Sequence, residues 1–198
     1  MISFQLSYDY RCPFAKNIHL HVVKALRTGA DFDVTFIPWT MGQGHKAATA
    51  PDVWDDPTQD SANLALAVSI SVRDHQPEYF LDAHDALFRA RHEGGIRLST
   101  LEQIDGVLAP LGVDLDRVRE DLATRRPFEV LGEHFRSMQR YEAFGVPTFV
   151  VNDDATFVRY MKPPTEDGAH STAIISALVT LMAEQADLNE FKHTKVPL

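Results

Sequence analysis

The hydrophobic patterning of the chain predicts an α/β fold built as a strand–helix–strand unit, a block of helices, and then two strands with a closing helix. Three observations carry that prediction. Period-two segments occur near both ends and not in the middle. A proline opens the first helical pattern directly after the first strand. Between about residues 60 and 144 the apolar residues keep helical spacing throughout.

Each element has a local reason. Phe4 to Tyr8 alternates apolar and polar residues and reads as a short strand. Pro13 suits the first helical position, where its missing N–H is no loss. Phe14, Ile18, Val22 and Leu26 follow at near-helical spacing until Gly29 ends the helix. Asp33 to Ile37 is a second strand closed by Pro38, and two strands joined by one helix are expected to be parallel. From Met41 to Pro57 scattered glycines and prolines predict an irregular loop able to cover a ligand. Asp60 is expected to cap a helix carrying Leu64, Val68 and Val72, and Pro77 to open one carrying Phe80, Leu81, His84, Leu87 and Phe88. Ser99-Thr100-Leu101-Glu102 has the form of a capping box ahead of Leu101, Ile104 and Leu108. Asp114 then caps a short helix to about Thr124, and a longer helix spans Phe128 to Phe144. Beyond Gly145, Thr148 to Val151 is a strand, Asn152 to Asp154 a turn, and Thr156 to Tyr160 its antiparallel partner. The last helix covers His170 to Ala186, with Ile174, Leu178 and Leu181 on one face.

Composition narrows the function classes. With 198 residues, 44% hydrophobic and 24% charged, the chain can bury a sizeable core without metal or disulfide staples. A net charge of −9 without a Lys/Arg cluster argues against nucleic acid and anionic membrane surfaces as partners. The start, Met1 to Tyr8, lacks a basic segment followed by an apolar one, and no apolar run approaches the ~20 residues that span a bilayer. One cysteine makes no internal disulfide, so the expected location is the cytoplasm. No metal site is expected. His19 and His21 lie two apart and face different directions, while His84, His92 and His134 have no partner at zinc-like spacing and suit solvated or core-edge positions. Gly42-Gln43-Gly44-His45-Lys46 lacks the phosphate-loop pattern.

Two short motifs carry the chemistry. Cys12-Pro13-Phe14-Ala15 follows a strand and opens a helix, so Cys12 falls at the cap. There its sulfur can accept from the N–H groups of Phe14 and Ala15, and the helix dipole favours a thiolate, predicting a lowered pKa. Arg11 and Lys16 can lower it further by charge and Asp9 can oppose them, with plain surface solvation the equal alternative for all three. The second motif, Gly145-Val146-Pro147-Thr148, places proline at the first position of a strand, where it is tolerated.

Together, in this order and separation, the motifs resemble the DsbA-like branch of the thioredoxin superfamily. That branch also holds kappa-class glutathione transferases and 2-hydroxychromene-2-carboxylate isomerases. The resemblance implies a thioredoxin-like domain (residues 1–58 and 145–198) with an inserted helical subdomain (residues 59–144). It implies a reactive Cys12, a cis Pro147 beside the sulfur, and substrate contacts from Pro13, Phe14, Ala15, Pro147 and the Val146 backbone. The stretch Met41 to Pro57 and Trp39, Trp54 and Phe14 are candidates to line a substrate pocket between core and insert, and for each aromatic alone core packing is the favoured explanation. The departure is Ala15, which stands where redox relatives have a second cysteine, so an intramolecular dithiol–disulfide cycle has no second thiol in this chain. What remains is a mixed disulfide with, or reduction dependent on, a small thiol such as glutathione or mycothiol. Acting on a small-molecule or peptide substrate, the protein would be a monothiol thiol–disulfide oxidoreductase, and a homodimer is one expected assembly. The kappa-class transferases and the isomerases, which use a serine at the cysteine position, suggest a thiol-dependent transferase or isomerase instead, and a third reading is a binding module without turnover.

Overall fold

The structure is a computed structural model that describes residues 2–195. Four strands form one sheet in the order β2-β1-β3-β4: β1 (Ile2–Tyr8), β2 (Phe32–Pro38), β3 (Thr148–Val151) and β4 (Asp154–Phe157). β1 and β2 are parallel, with Leu6 opposite Phe36, and are joined by α1 (Pro13–Arg27). β3 runs antiparallel to both β1, where Leu6 faces Phe149, and β4. The closing helix α8 (Gly168–Glu184) packs along α1.

Between β2 and β3 lie α2 (Met41–Gly44), α3 (Asp60–His75), α4 (Pro77–His92), α5 (Leu101–Leu108), α6 (Leu115–Ala123) and α7 (Arg126–Gln139). One continuous apolar core passes from Leu6 and Phe149 in the sheet through Ile18 of α1 to Leu66, Leu87 and Leu131. The sheet and the helical block therefore share their buried surface. Among the described residues no helix is long and apolar enough to cross a membrane.

Several boundaries differ from the sequence-based expectation, each for a local reason. Asp60 is the first residue of α3 rather than its cap. Its carboxylate takes Arg125 in a bidentate pair, while Asp56 caps the 3₁₀ turn before it through Thr58 N. The expected capping box gives way to a cap one residue later: Thr100 Oγ1 accepts from Gln103 N, and Gln103 Oε1 accepts from Ser99 N, the amide before the cap. α7 stops at Gln139 instead of Phe144, because Glu142 takes φ 55° and turns the chain out of the helix. Phe144 is left 77% exposed. The Met41–Pro57 loop contains the short turn α2, capped by Thr40. At the hairpin Asn152 and Asp153 have φ 50° and 65°, the pair of positive values a tight two-residue turn demands, and β4 ends before Val158. On α8 the most deeply buried face is Ser171, Ile175 and Val179, one position on from the predicted one.

Candidate functional site

Cys12 occupies the N-cap of α1 in an extended conformation (φ −91°, ψ 118°), with Pro13 as the first helical residue. Its Sγ accepts from Ala15 N at 3.5 Å and lies 3.2 Å from the Val146 carbonyl oxygen, to which the thiol donates. The Val146–Pro147 peptide is cis. Two hydrogen bonds pin this turn against the sheet: Thr148 N donates to Ser7 Oγ, and Thr148 Oγ1 donates to the Gly145 carbonyl. The two motifs, far apart in sequence, thus meet at one sulfur.

The charge state of that sulfur corrects the expectation. Cys12 is 6% exposed, and burial pushes its pKa up; the N–H groups of Ala15 and Phe14 pull it down, and Asp9 adds a further upward push. The net direction is upward, toward a thiol. Arg11 and Lys16 do not supply the expected counterbalance because both are committed elsewhere. Arg11 Nε and Nη2 hold Asp9, Nη2 also donates to Thr40 Oγ1, and Lys16 Nζ lies 3.7 Å from Glu93. Val146 is likewise 3% exposed rather than presented to solvent.

Neighbouring residues divide into those near the thiol and those packed away from it. Ala15 is fully buried, Pro13 is exposed, and the Phe14 ring carries the Arg159 guanidinium 5.3 Å from its centroid. Trp39 is buried. It stacks on Phe135 with centroids 4.9 Å apart, and its buried indole N–H finds no acceptor among the described residues. Trp54 packs so tightly on Gly132 that a Cβ there would sit 2.7 Å from the indole. Those tryptophans belong to the shared core. Two openings lie elsewhere: one of about 380 Å³ where Val34 to Phe36 of β2 meet Arg73, Phe80 and His134, and a groove of about 540 Å³ between the Asp9–Arg11 turn, α3 and the α4–α5 connection, next to Cys12 in sequence.

Two networks escaped sequence reasoning. Asp9, 1% exposed, accepts from Arg11 N and Arg11 Nε at one oxygen and from Arg11 Nη2 and Met41 N at the other. It ties the turn before Cys12 to the start of α2. Beneath Tyr10 runs a buried relay whose direction can be deduced. The Ser7 carbonyl can only accept, so His19 Nε2 carries the hydrogen and His19 Nδ1 is an acceptor. His84 Nε2 therefore donates to it at 2.8 Å, and His84 Nδ1 accepts from the Tyr10 hydroxyl at 2.8 Å. Both imidazoles are neutral: burial lowers His19 to about 3 and holds His84 well below 6.5. His84 is thus a fully buried core residue, not a solvated or core-edge one. The near-helical placement of His84 among Phe80, Leu87 and Phe88 was the available signal.

The family model for a DSBA-like thioredoxin domain matches residues 5–165, a span that includes both Cys12 and Pro147. The chain belongs to that family. Among curated proteins none matches its sequence. Solved structures of the DsbA type share the fold. The cytosolic disulfide reductase DsbM from Pseudomonas aeruginosa, solved with GSH, superposes with a TM-score of 0.62 at 15% identity, covering 91% of this chain and 100% of that one. DsbA from the same organism gives 0.57 at 20% identity over 95% and 86%. ScsC from Proteus mirabilis gives 0.58 at 15% identity over 94% and 85%. At these identities the likeness to the DsbA-like structures is one of fold.

Proposed function

We propose that this DsbA-family chain is a cytoplasmic monothiol thiol–disulfide oxidoreductase in which Cys12 enters and leaves a mixed disulfide with a small thiol such as glutathione. The observation that carries the reading is the 3.2 Å approach of the Cys12 sulfur to the Val146 carbonyl at the mouth of a helix. The resting site holds a protonated, shielded thiol. An extended ligand whose N–H donates to the Val146 carbonyl takes the acceptor that the thiol now uses. The freed thiol then loses its proton to solvent, and the Ala15 and Phe14 amides stabilise the anion. The thiolate attacks one sulfur of a disulfide: the Cys12–sulfur bond forms, the disulfide bond breaks, and the departing thiolate takes up a proton. An external thiolate then attacks the mixed disulfide, restoring Cys12 and carrying the second half away as a new disulfide. Ala15, fully buried at the position of a resolving cysteine, leaves the second step to that outside thiol. A glutathione-bound DsbM among structures of the same fold supports the choice of thiol. In this proposal Pro13, Phe14, Ala15, Val146 and Pro147 contact the ligand, and Trp39 does not. The division into residues 1–58 with 145–198 and 59–144 belongs to the same proposal, the two parts meeting in one core.

One observation favours a second reading. A thiol that donates its hydrogen to a carbonyl behaves as a serine hydroxyl could, which suits a transferase or isomerase that merely positions a cofactor thiol. Mass spectrometry after incubation with oxidised glutathione, without reductant, separates the two. The oxidoreductase reading expects an adduct on Cys12 that an added thiol removes. No adduct, together with thiol-dependent turnover surviving in Cys12→Ser, would overturn it in favour of the second.

A further inference from the structure

We propose that the groove beside the Asp9–Arg11 turn is a docking site for the carboxylates of a small anionic disulfide, and that it selects such partners for Cys12. The proposal rests on the oxidoreductase reading above and adds the class of substrate.

The groove has a wall on each side of the helix–sheet junction. Asp9, Tyr10 and Arg11 lead directly into Cys12, whose N–H is bonded to the Asp9 carbonyl. Ala62, Ala65 and Leu66 of α3 supply an apolar floor, and Arg91 and Arg97 bring charge from the opposite wall. Among the chain's arginines these last two are exceptional. The others pair with a carboxylate or lie over an aromatic ring, whereas among the described residues Arg91 and Arg97 have no ion pair, hydrogen bond or ring partner. Arg11 adds to them, because Asp9 and Thr40 occupy only its Nε and Nη2 and leave Nη1 without a protein acceptor. Three guanidinium groups thus face one carboxylate in a chain whose net charge is −9. Arg91 lies in the last turn of α4, where a cation also answers the helix dipole. Arg97 lies outside any helix and has no such reason.

The backbone supplies an independent sign that this wall is held in place. Leu98 adopts φ 59° while its side chain is buried in the core, and a bulky L-residue rarely takes that conformation. Anchored so, Leu98 sets Arg97 and Ser99 on the groove to either side of it. Planar, forked guanidinium groups match carboxylates, and an apolar floor accommodates a short peptide-like body between them.

The chemical step is the one already described. Cys12 thiolate and the disulfide give the mixed disulfide and one released thiol, so two sulfurs exchange partners and no outside oxidant is needed. The groove contributes affinity and encounter rate, not bond-making. The test compares two disulfides on the full chain: oxidised glutathione, which carries several carboxylates, and neutral 2-hydroxyethyl disulfide. Formation of the Cys12 adduct is timed by mass spectrometry in wild type and in the double variant Arg91→Ala/Arg97→Ala, with thermal unfolding confirming that the variant folds. The variant should slow the anionic disulfide about tenfold and leave the neutral one unchanged, and added salt should erase the wild-type preference. Equal slowing of both, or of neither, overturns the groove. If wild type reacts with neither disulfide, the oxidoreductase reading fails by itself. Calorimetry with unreactive S-methylglutathione then decides the groove separately: binding lost in the double variant supports it, and no binding to wild type overturns it.

Discussion

The two flanks of Cys12 differ in kind. Toward Val146 the surroundings are buried, burial favours the neutral thiol, and that thiol donates a hydrogen bond to the Val146 carbonyl. Toward Arg11, which Asp9 holds, the turn opens on a charged groove where Arg91 and Arg97 have no ion-pair partner among the described residues. In the proposed function the closed flank governs when the thiol becomes an anion, and the open flank governs which molecule reaches it. A single helix-cap position takes both properties from chain segments that lie far away in sequence.

Removing the sulfur gives the largest expected effect. Cys12→Ser should abolish adduct formation with any disulfide, as mass spectrometry would show, while the hydroxyl still donates to Val146 and the fold is kept. Next comes the relay that supports the open flank. His84→Ala strands the buried Tyr10 hydroxyl and His19 Nδ1 and leaves a void, which should cost about 3 kcal/mol in urea unfolding. A cost near zero would mean that the relay does not hold the Tyr10 wall.

The same histidines set an acid limit. His19 and His84 are neutral when folded, with pKa values depressed to about 3 and well below 6.5, whereas the unfolded chain takes up their protons below about pH 6.5. Their contribution is therefore intact above that pH and is lost as pH falls toward the folded values, by about 1.4 kcal/mol per pH unit for each imidazole. Unfolding free energies measured from pH 7 to 5 would show this slope, and it should be shallower in His84→Leu. The smallest effect sharpens the contrast between the flanks. Asp9 raises the Cys12 pKa, so Asp9→Asn should lower it slightly, read as an alkylation rate that rises at lower pH. An unchanged profile would show that the open flank has no electrical hold on the thiol.

Features that depend on near neighbours were legible. The Cys12 cap, the proline-started helices and the Asn152-Asp153 turn follow from residues within four positions of each other. The element order followed from periodicity, and both motifs lie within the matched family span. Where two neighbouring residues offered the same side chain, the register slipped by one, as at Thr100. His84 was misplaced because a ring on a helical stripe reads the same deep in a core as at its edge.

What the amino-acid order determined by itself was that a lone thiol begins a helix, with no second thiol at the helix turn to answer it. The tertiary structure decided whether that sulfur carries a proton. Hydrogen bonds to a cap form within one turn of chain, but the cost of holding a charge depends on how much water is excluded. Here that exclusion is completed by Val146, 134 residues further along. The unpaired arginines beside it were likewise ordinary surface charges until folding gathered them around one groove.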